Sequence, residues 1–185
     1  ALSRKIVEVF GIGEGPVYFQ FLIGDEGVKV NEIACRIGGA YEEEFIPLLT
    51  GVDLLGIVME QALYGRASEK SLEELERFEY PAGGALSVLL FFTDPLTVSA
   101  TGDMDKLRRI EGVEGGRYLL DPGRSVGPME NSTGRAGYVI IRGGDGDEVN
   151  RRIEEVYRRL AVYDEKGENK LRDYAKESLH VGQRK

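Results

Sequence analysis

Three side chains near the start of the chain have types and spacing that could do chemistry: Gln20, Glu32 and Arg36. They fall in two runs, 17–24 and 28–36, that read as a β-hairpin. The first run is rich in β-branched and aromatic residues, Val17, Tyr18, Phe19, Phe21 and Ile23, which suit a pleated, half-buried surface. Asp25-Glu26-Gly27 between them predicts a three-residue loop, a type I turn followed by a left-handed glycine. That loop sets Gly24 opposite Val28, and hence Gln20 opposite Glu32. Side chains alternate along a strand, so Glu32, Ala34 and Arg36 share a face, and Gln20 joins it from the neighbouring strand. An amide, a carboxylate and a guanidinium therefore gather on one side of a sheet.

A carboxylate and a guanidinium on the buried side of a sheet are costly unless paired or bound to a ligand. A salt bridge between Glu32 and Arg36 at a sheet edge accounts for them as well as any site does. The sharper reading is a magnesium–nucleotide site. Mg²⁺ prefers hard oxygen ligands and takes one or two from protein while phosphates and water supply the rest. Gln20 and Glu32 offer such oxygens, and Arg36 offers a two-pronged grip on a carboxylate or phosphate.

The runs Gly15-Pro16-Val17-Tyr18-Phe19-Gln20-Phe21, Asn31-Glu32-Ile33-Ala34-Cys35-Arg36-Ile37-Gly38-Gly39 and Thr50-Gly51-Val52-Asp53-Leu54 resemble the late core strands of the ATP-grasp superfamily. The resemblance implies that Gln20 and Glu32 are Mg²⁺ ligands. It implies that Arg36 is catalytic, contacting an acyl-phosphate or tetrahedral intermediate. It also implies that Gly38 and Gly39 let backbone N–H groups approach the same anion. Ala34 stands where the family has a further metal-binding Asn. Glu-x-Ala-x-Arg with Gly-Gly is similar to the carboxylate–amine ligase branch that includes the L-amino-acid ligases, as is the run Arg135-Ala136-Gly137-Tyr138-Val139-Ile140 before a last helix. The implied reaction uses ATP and Mg²⁺. A carboxylate takes the γ-phosphoryl group, and an amine then displaces phosphate, with positioning and cations carrying catalysis. The motifs cover roughly residues 15–65.

The elements that must position these groups give an α+β (mixed α/β) fold. Residues 1–66 are expected to form the late half of an ATP-grasp core, 67–80 a polar connector, 81–176 a small mixed C-terminal domain and 177–185 a tail. Residues 3–10 read as the end of a helix and 42–49 as another. Thr50-Gly51-Val52-Asp53 resembles a capping box, with Thr50 as cap and Asp53 reaching back. The following helix carries Leu54, Leu55, Val58, Met59 and Ala62 at helical spacing and stops at Gly65. In the second block, strands are expected over 85–92, 98–101, 115–120 and 135–142, with a short helix over 104–110 and an amphipathic helix over 147–160. Residues 164–185 are expected to fray.

Composition narrows the chemistry further. The chain has 185 residues and a net charge of −8, which weighs against nucleic-acid binding. No apolar run reaches the ~20 residues of a membrane span, so no membrane partner is expected. The only cysteine is Cys35 and the only histidine is His180, which excludes an internal disulfide and a zinc site built on several Cys or His. A cytoplasmic setting is the expectation, with Cys35 as a core thiol and His180 as a solvated tail residue. Glu42, Glu43 and Glu44 read as a solvated helix start. The expected ligands are ATP, a carboxylate substrate and an amine acceptor. The family's lid and preceding domain do not fit before Val17, so the expected partner is an upstream ATP-grasp half, and the chain alone is expected to be inactive. The alternatives are a non-catalytic assembly module and one subunit of a split enzyme of the carbamoyl phosphate synthetase or biotin carboxylase kind. A homo-oligomer is also allowed.

Overall fold

The computed structural model describes residues 2–77, 79 and 83–172. The architecture is mixed α+β, and the chain divides into two compact units, Ala1–Pro81 and Ala82–Lys185. His180 and the expected tail at 177–185 lie outside the described residues.

The first unit runs α1 (Leu2–Val9), β1 (Tyr18–Gly24), β2 (Gly27–Ala34), α2 (Glu42–Thr50), α3 (Leu54–Tyr64) and α4 (Glu69–Arg77). Strands β1 and β2 form a two-stranded antiparallel sheet. Helix α2 closes on Gly51 and α3 on Gly65, both at φ 74°; glycine has no Cβ to clash there. The expected cap is corrected. Asp53, not Thr50, caps α3, accepting a hydrogen bond from the Gly56 amide at 2.9 Å. Thr50 is the last residue of α2, where its hydroxyl donates to the Ile46 carbonyl at 2.8 Å. The expected polar connector contains α4. Its start is tied to α3 by the Glu60 carboxylate, which accepts from the Ser68 amide at 2.8 Å and the Ser71 hydroxyl at 2.9 Å. Those bonds favour the charged form and lower the Glu60 pKa.

The second unit runs β3 (Ala85–Phe91), β4 (Leu96–Thr101), α5 (Met104–Leu107), β5 (Val113–Tyr118), β6 (Ser125–Val126), β7 (Gly137–Gly143), α6 (Gly146–Tyr157) and β8 (Val162–Asp164). One sheet has the order β3-β7-β5 and the other β6-β4-β8, all neighbours antiparallel. Strand β7 is central, and Tyr138, Val139, Ile140 and Ile141 are all buried. A strand covered on both faces reads as a continuous apolar run, as this one does. Phe91, Val139 and Ile141 join Val149, Ile153 and Val156 of α6 in one core. Each such side chain contributes roughly 1.5–3 kcal/mol through burial. The expected fraying does not begin at Asp164. Residues 164–172 are pinned by bridges from Thr93 to Leu171 and from Tyr163 to Asn169.

Candidate functional site

The hairpin places the candidate residues, by a route the alternation rule alone does not give. Gly27 takes the expected left-handed conformation, φ 94°, yet it pairs directly with Gly24. In that register Gln20 would face Asn31. The ladder then shifts between Gln20 and Phe21, so that Val30 pairs with Phe21 and Glu32 with Gln20. Asn31 is the extra residue of a β-bulge. The bulge sorts the two faces. Phe19, Phe21 and Ile23 pair with Ile33, Val30 and Val28 on the apolar side, while Tyr18 and Gln20 pair with Ala34 and Glu32 on the other. Without the bulge, Val28 and Val30 would share a face with Glu32. The stacked rings of Phe19 and Phe21, 5.6 Å apart, mark the apolar face.

On the polar face the Asn31 amide donates to the Gln20 side-chain oxygen. Arg36 lies 3.9 Å from the Glu32 carboxylate, donates to the Ile37 carbonyl at 2.8 Å, and stands 5.8 Å over the Tyr18 ring. The side chains of Glu32 and Arg36 are 50% and 55% exposed. The face expected to be buried is therefore solvated in this chain, and the ion pair carries little desolvation cost. Cys35, expected in the core, is exposed. It sits just past the end of β2.

Beyond the hairpin, Gly38 and Gly39 differ in surroundings. A Cβ on Gly39 would meet nothing within 4 Å, whereas one on Gly38 would lie 2.0 Å from a Glu42 carboxylate oxygen. Glu42 folds back over this loop and accepts a hydrogen bond from the Ala40 amide at 2.7 Å. It is thus not a purely solvated helix-start residue. Between them Tyr41 adopts φ 68°, ψ 34°, a left-handed conformation unusual for an aromatic residue and most common where surroundings enforce it. The contacts of Asn31 with Gln20, of Tyr18 with Arg36 and of Glu42 with the Ala40 amide, and the left-handed Tyr41, are not read from the sequence. The slip in apolar alternation from Val28 and Val30 to Ile33 was the signal for the bulge.

The donor set fits a magnesium–phosphate centre in chemistry, with one carboxylate and one amide oxygen on paired positions of one face. Among the described residues, no group of three or more His, Cys, Asp or Glu comes together as a metal site. Any ion there would draw its remaining ligands from elsewhere. Arg135 donates to the Ser132 carbonyl at 3.0 Å, holding the loop before β7. No single helix among the described residues is long and apolar enough to cross a membrane.

Comparison with known proteins follows the same lines. Residues 89–165 match the family model of L-amino acid ligase C-terminal domain 2. No curated protein sequence matches the chain. Among solved structures, phosphoribosylglycinamide synthetase from Anaerococcus prevotii superposes with a TM-score of 0.72 at 12% identity, over 88% of this chain and 40% of that one. L-amino acid ligase from Bacillus licheniformis gives 0.71 at 16%, over 89% and 42%. The biotin carboxylase domain of Hydrogenobacter thermophilus 2-oxoglutarate carboxylase, solved with MgADP and bicarbonate, gives 0.63 at 14%, over 94% and 36%. The chain spans about two fifths of the length of these proteins. In fold, the chain is similar to a portion of these enzymes, and residues 89–165 are similar to the second C-terminal domain of the L-amino acid ligases.

Proposed function

We propose that this chain supplies one wall of the ATP and substrate site of a ligase that joins a carboxylate to an amine through an acyl-phosphate. The observation that carries the reading is the pairing of Gln20 with Glu32 on the face that also holds Arg36. Gln20 and Glu32 would hold the magnesium ion, which when bound neutralises phosphate charge. Arg36, steadied by the Tyr18 ring and the Ile37 carbonyl, keeps a guanidinium edge available to a developing oxyanion. Gly39 leaves open space for close approach of an anion to backbone. The structural likeness to ATP-grasp ligases and the matched ligase domain support ATP and a carboxylate as ligands. The remaining walls, including the grip on the nucleotide, belong to an upstream part of the fold.

Calorimetric titration of the chain with Mg²⁺-ATP tests this directly. Binding no tighter than about 1 mM is expected of one wall, and tight binding abolished by Glu32→Ala would make the chain a nucleotide-binding module in its own right. Within a polypeptide carrying the complete fold, ATP should release phosphate in the presence of a carboxylate and an amine. There Glu32→Ala or Arg36→Ala should lower kcat at least about 100-fold; unchanged turnover in both variants would sink the assignment.

A second reading, an assembly module or split-enzyme subunit, draws on the apolar hairpin face. Ile23 and Val28 are 68% and 52% exposed, more apolar surface than a two-stranded sheet comfortably leaves uncovered. It predicts a separate upstream chain that co-purifies with this one.

A further inference from the structure

We propose that the second unit carries its own oxyanion-binding basin, distinct in residues from the hairpin site and independent of the ligase reading. Lys106, Arg109 and Arg159 converge on a concave surface of 470 Å³ whose lining is completed by Gly102, Asp103, Ala161 and Tyr163. In a chain of net charge −8, these three cations, two of them paired with Asp103 and Glu155, leave the hollow with a net positive charge through Arg109. Concave surfaces of one charge focus field and concentrate ions of the other.

The floor is firmly built. The Gly102 amide donates to the Ala161 carbonyl at 2.8 Å, and the Ala161 amide donates to the Tyr118 hydroxyl at 3.3 Å. A Cβ at residue 102 would lie 2.6 Å from that hydroxyl, so glycine is what lets the turn sit against it. The one lining carboxylate is engaged as a helix cap: Asp103 accepts from the Asp105 and Lys106 amides at 2.9 and 3.3 Å. Its other oxygen is 3.8 Å from the Lys106 ammonium. Arg159 is oriented by Glu155 at 2.8 Å. Arg109 makes no hydrogen bond or ion pair with any described residue, so its five donors remain for a ligand. A planar guanidinium with two further cations suits a multiply charged phosphate better than a monovalent carboxylate. The ligand class is therefore a phosphate or polyphosphate, free or carried by a nucleotide.

Titrating the 185-residue chain with inorganic pyrophosphate at constant ionic strength, followed by backbone amide shifts, tests the basin. Saturable shifts centred on Gly102, Asp103, Lys106 and Ala161 are expected, and Arg109→Ala should weaken binding about tenfold or more. Arg124→Ala, which removes an exposed cation outside the basin, should leave it unchanged. Parallel titrations with orthophosphate and magnesium-free ATP separate a free-phosphate ligand from a nucleotide one. No saturation below about 10 mM, equal weakening by Arg124→Ala, or equal binding of acetate would each overturn the proposal.

Discussion

Gln20 and Glu32 face each other only because Asn31 is an extra residue on β2; the turn alone would set Gln20 opposite Asn31. The bulge keeps the apolar set Val28, Val30 and Ile33 on one side and Glu32 on the other. Deleting Asn31 should therefore give a regular ladder that preserves both pairings, Gln20 with Glu32 and Phe21 with Val30. Cross-strand nuclear Overhauser effects between these pairs check it. A shift of Gln20 to contact Ile33 would mean that the turn does not fix the register.

The Glu32–Arg36 pair, at 3.9 Å and half exposed, is a weak stabilising element. Glu32→Gln is expected to change unfolding free energy by no more than about 0.5 kcal/mol, measured by denaturant titration. A loss of several kcal/mol would assign the pair a structural role and weaken its assignment to a ligand site.

Gly116 lies in β5 with φ 147°, and a Cβ there would meet the Tyr138 carbonyl oxygen at 2.5 Å and Val139 Cα at 2.9 Å. Both are backbone of the central strand and cannot move aside. Gly116→Ala should destabilise the second unit by about 3 kcal/mol, through overpacking and strain together. A thermal midpoint within error of the parent chain would refute this.

The two units should differ in local stability. Among the described residues, the first unit contributes only Val52 and Ile57 to the buried hydrophobic set, and the rest belong to the second. Amide exchange in β1 and β2 is expected to be at least about 100-fold faster than in β7, since opening free energy follows buried apolar contact. Equal protection in the two strand sets would contradict the burial difference.

Burial raises the pKa of the Tyr118 hydroxyl above its ordinary 10.0, partly offset by the hydrogen bond it accepts from the Ala161 amide. The unfolded chain thus gives up this proton at lower pH than the folded one. The contribution is complete below pH 10.0 and is lost as pH rises through the raised folded value. Tyr118→Phe should flatten that alkaline loss, measured as denaturation midpoints from about pH 8 to pH 11. Identical pH profiles would exclude Tyr118 as its source.

Much of this protein was legible in the sequence. The hairpin, the facing of Gln20 and Glu32, the buried strand Tyr138–Ile141 and the amphipathic α6 all follow from apolar periodicity and turn residues, which are local. The motifs carried the ATP-grasp likeness. The facing of Gln20 and Glu32 was nonetheless reached by a three-residue loop without a bulge, whereas the fold uses direct Gly24–Gly27 pairing plus the bulge at Asn31. Two offsets of one residue cancelled. The tertiary structure alone decided what covers each group. Cys35 and the Glu32–Arg36 pair are exposed. Thr50 ends one helix while Asp53 starts the next, a choice between two local caps that sequence spacing allows equally. Glu42 left solvent to fold over Gly38 and the Ala40 amide, and Lys106, Arg109 and Arg159 met around one hollow. Such convergence depends on how separate elements pack, and periodicity within one element carries no information about it.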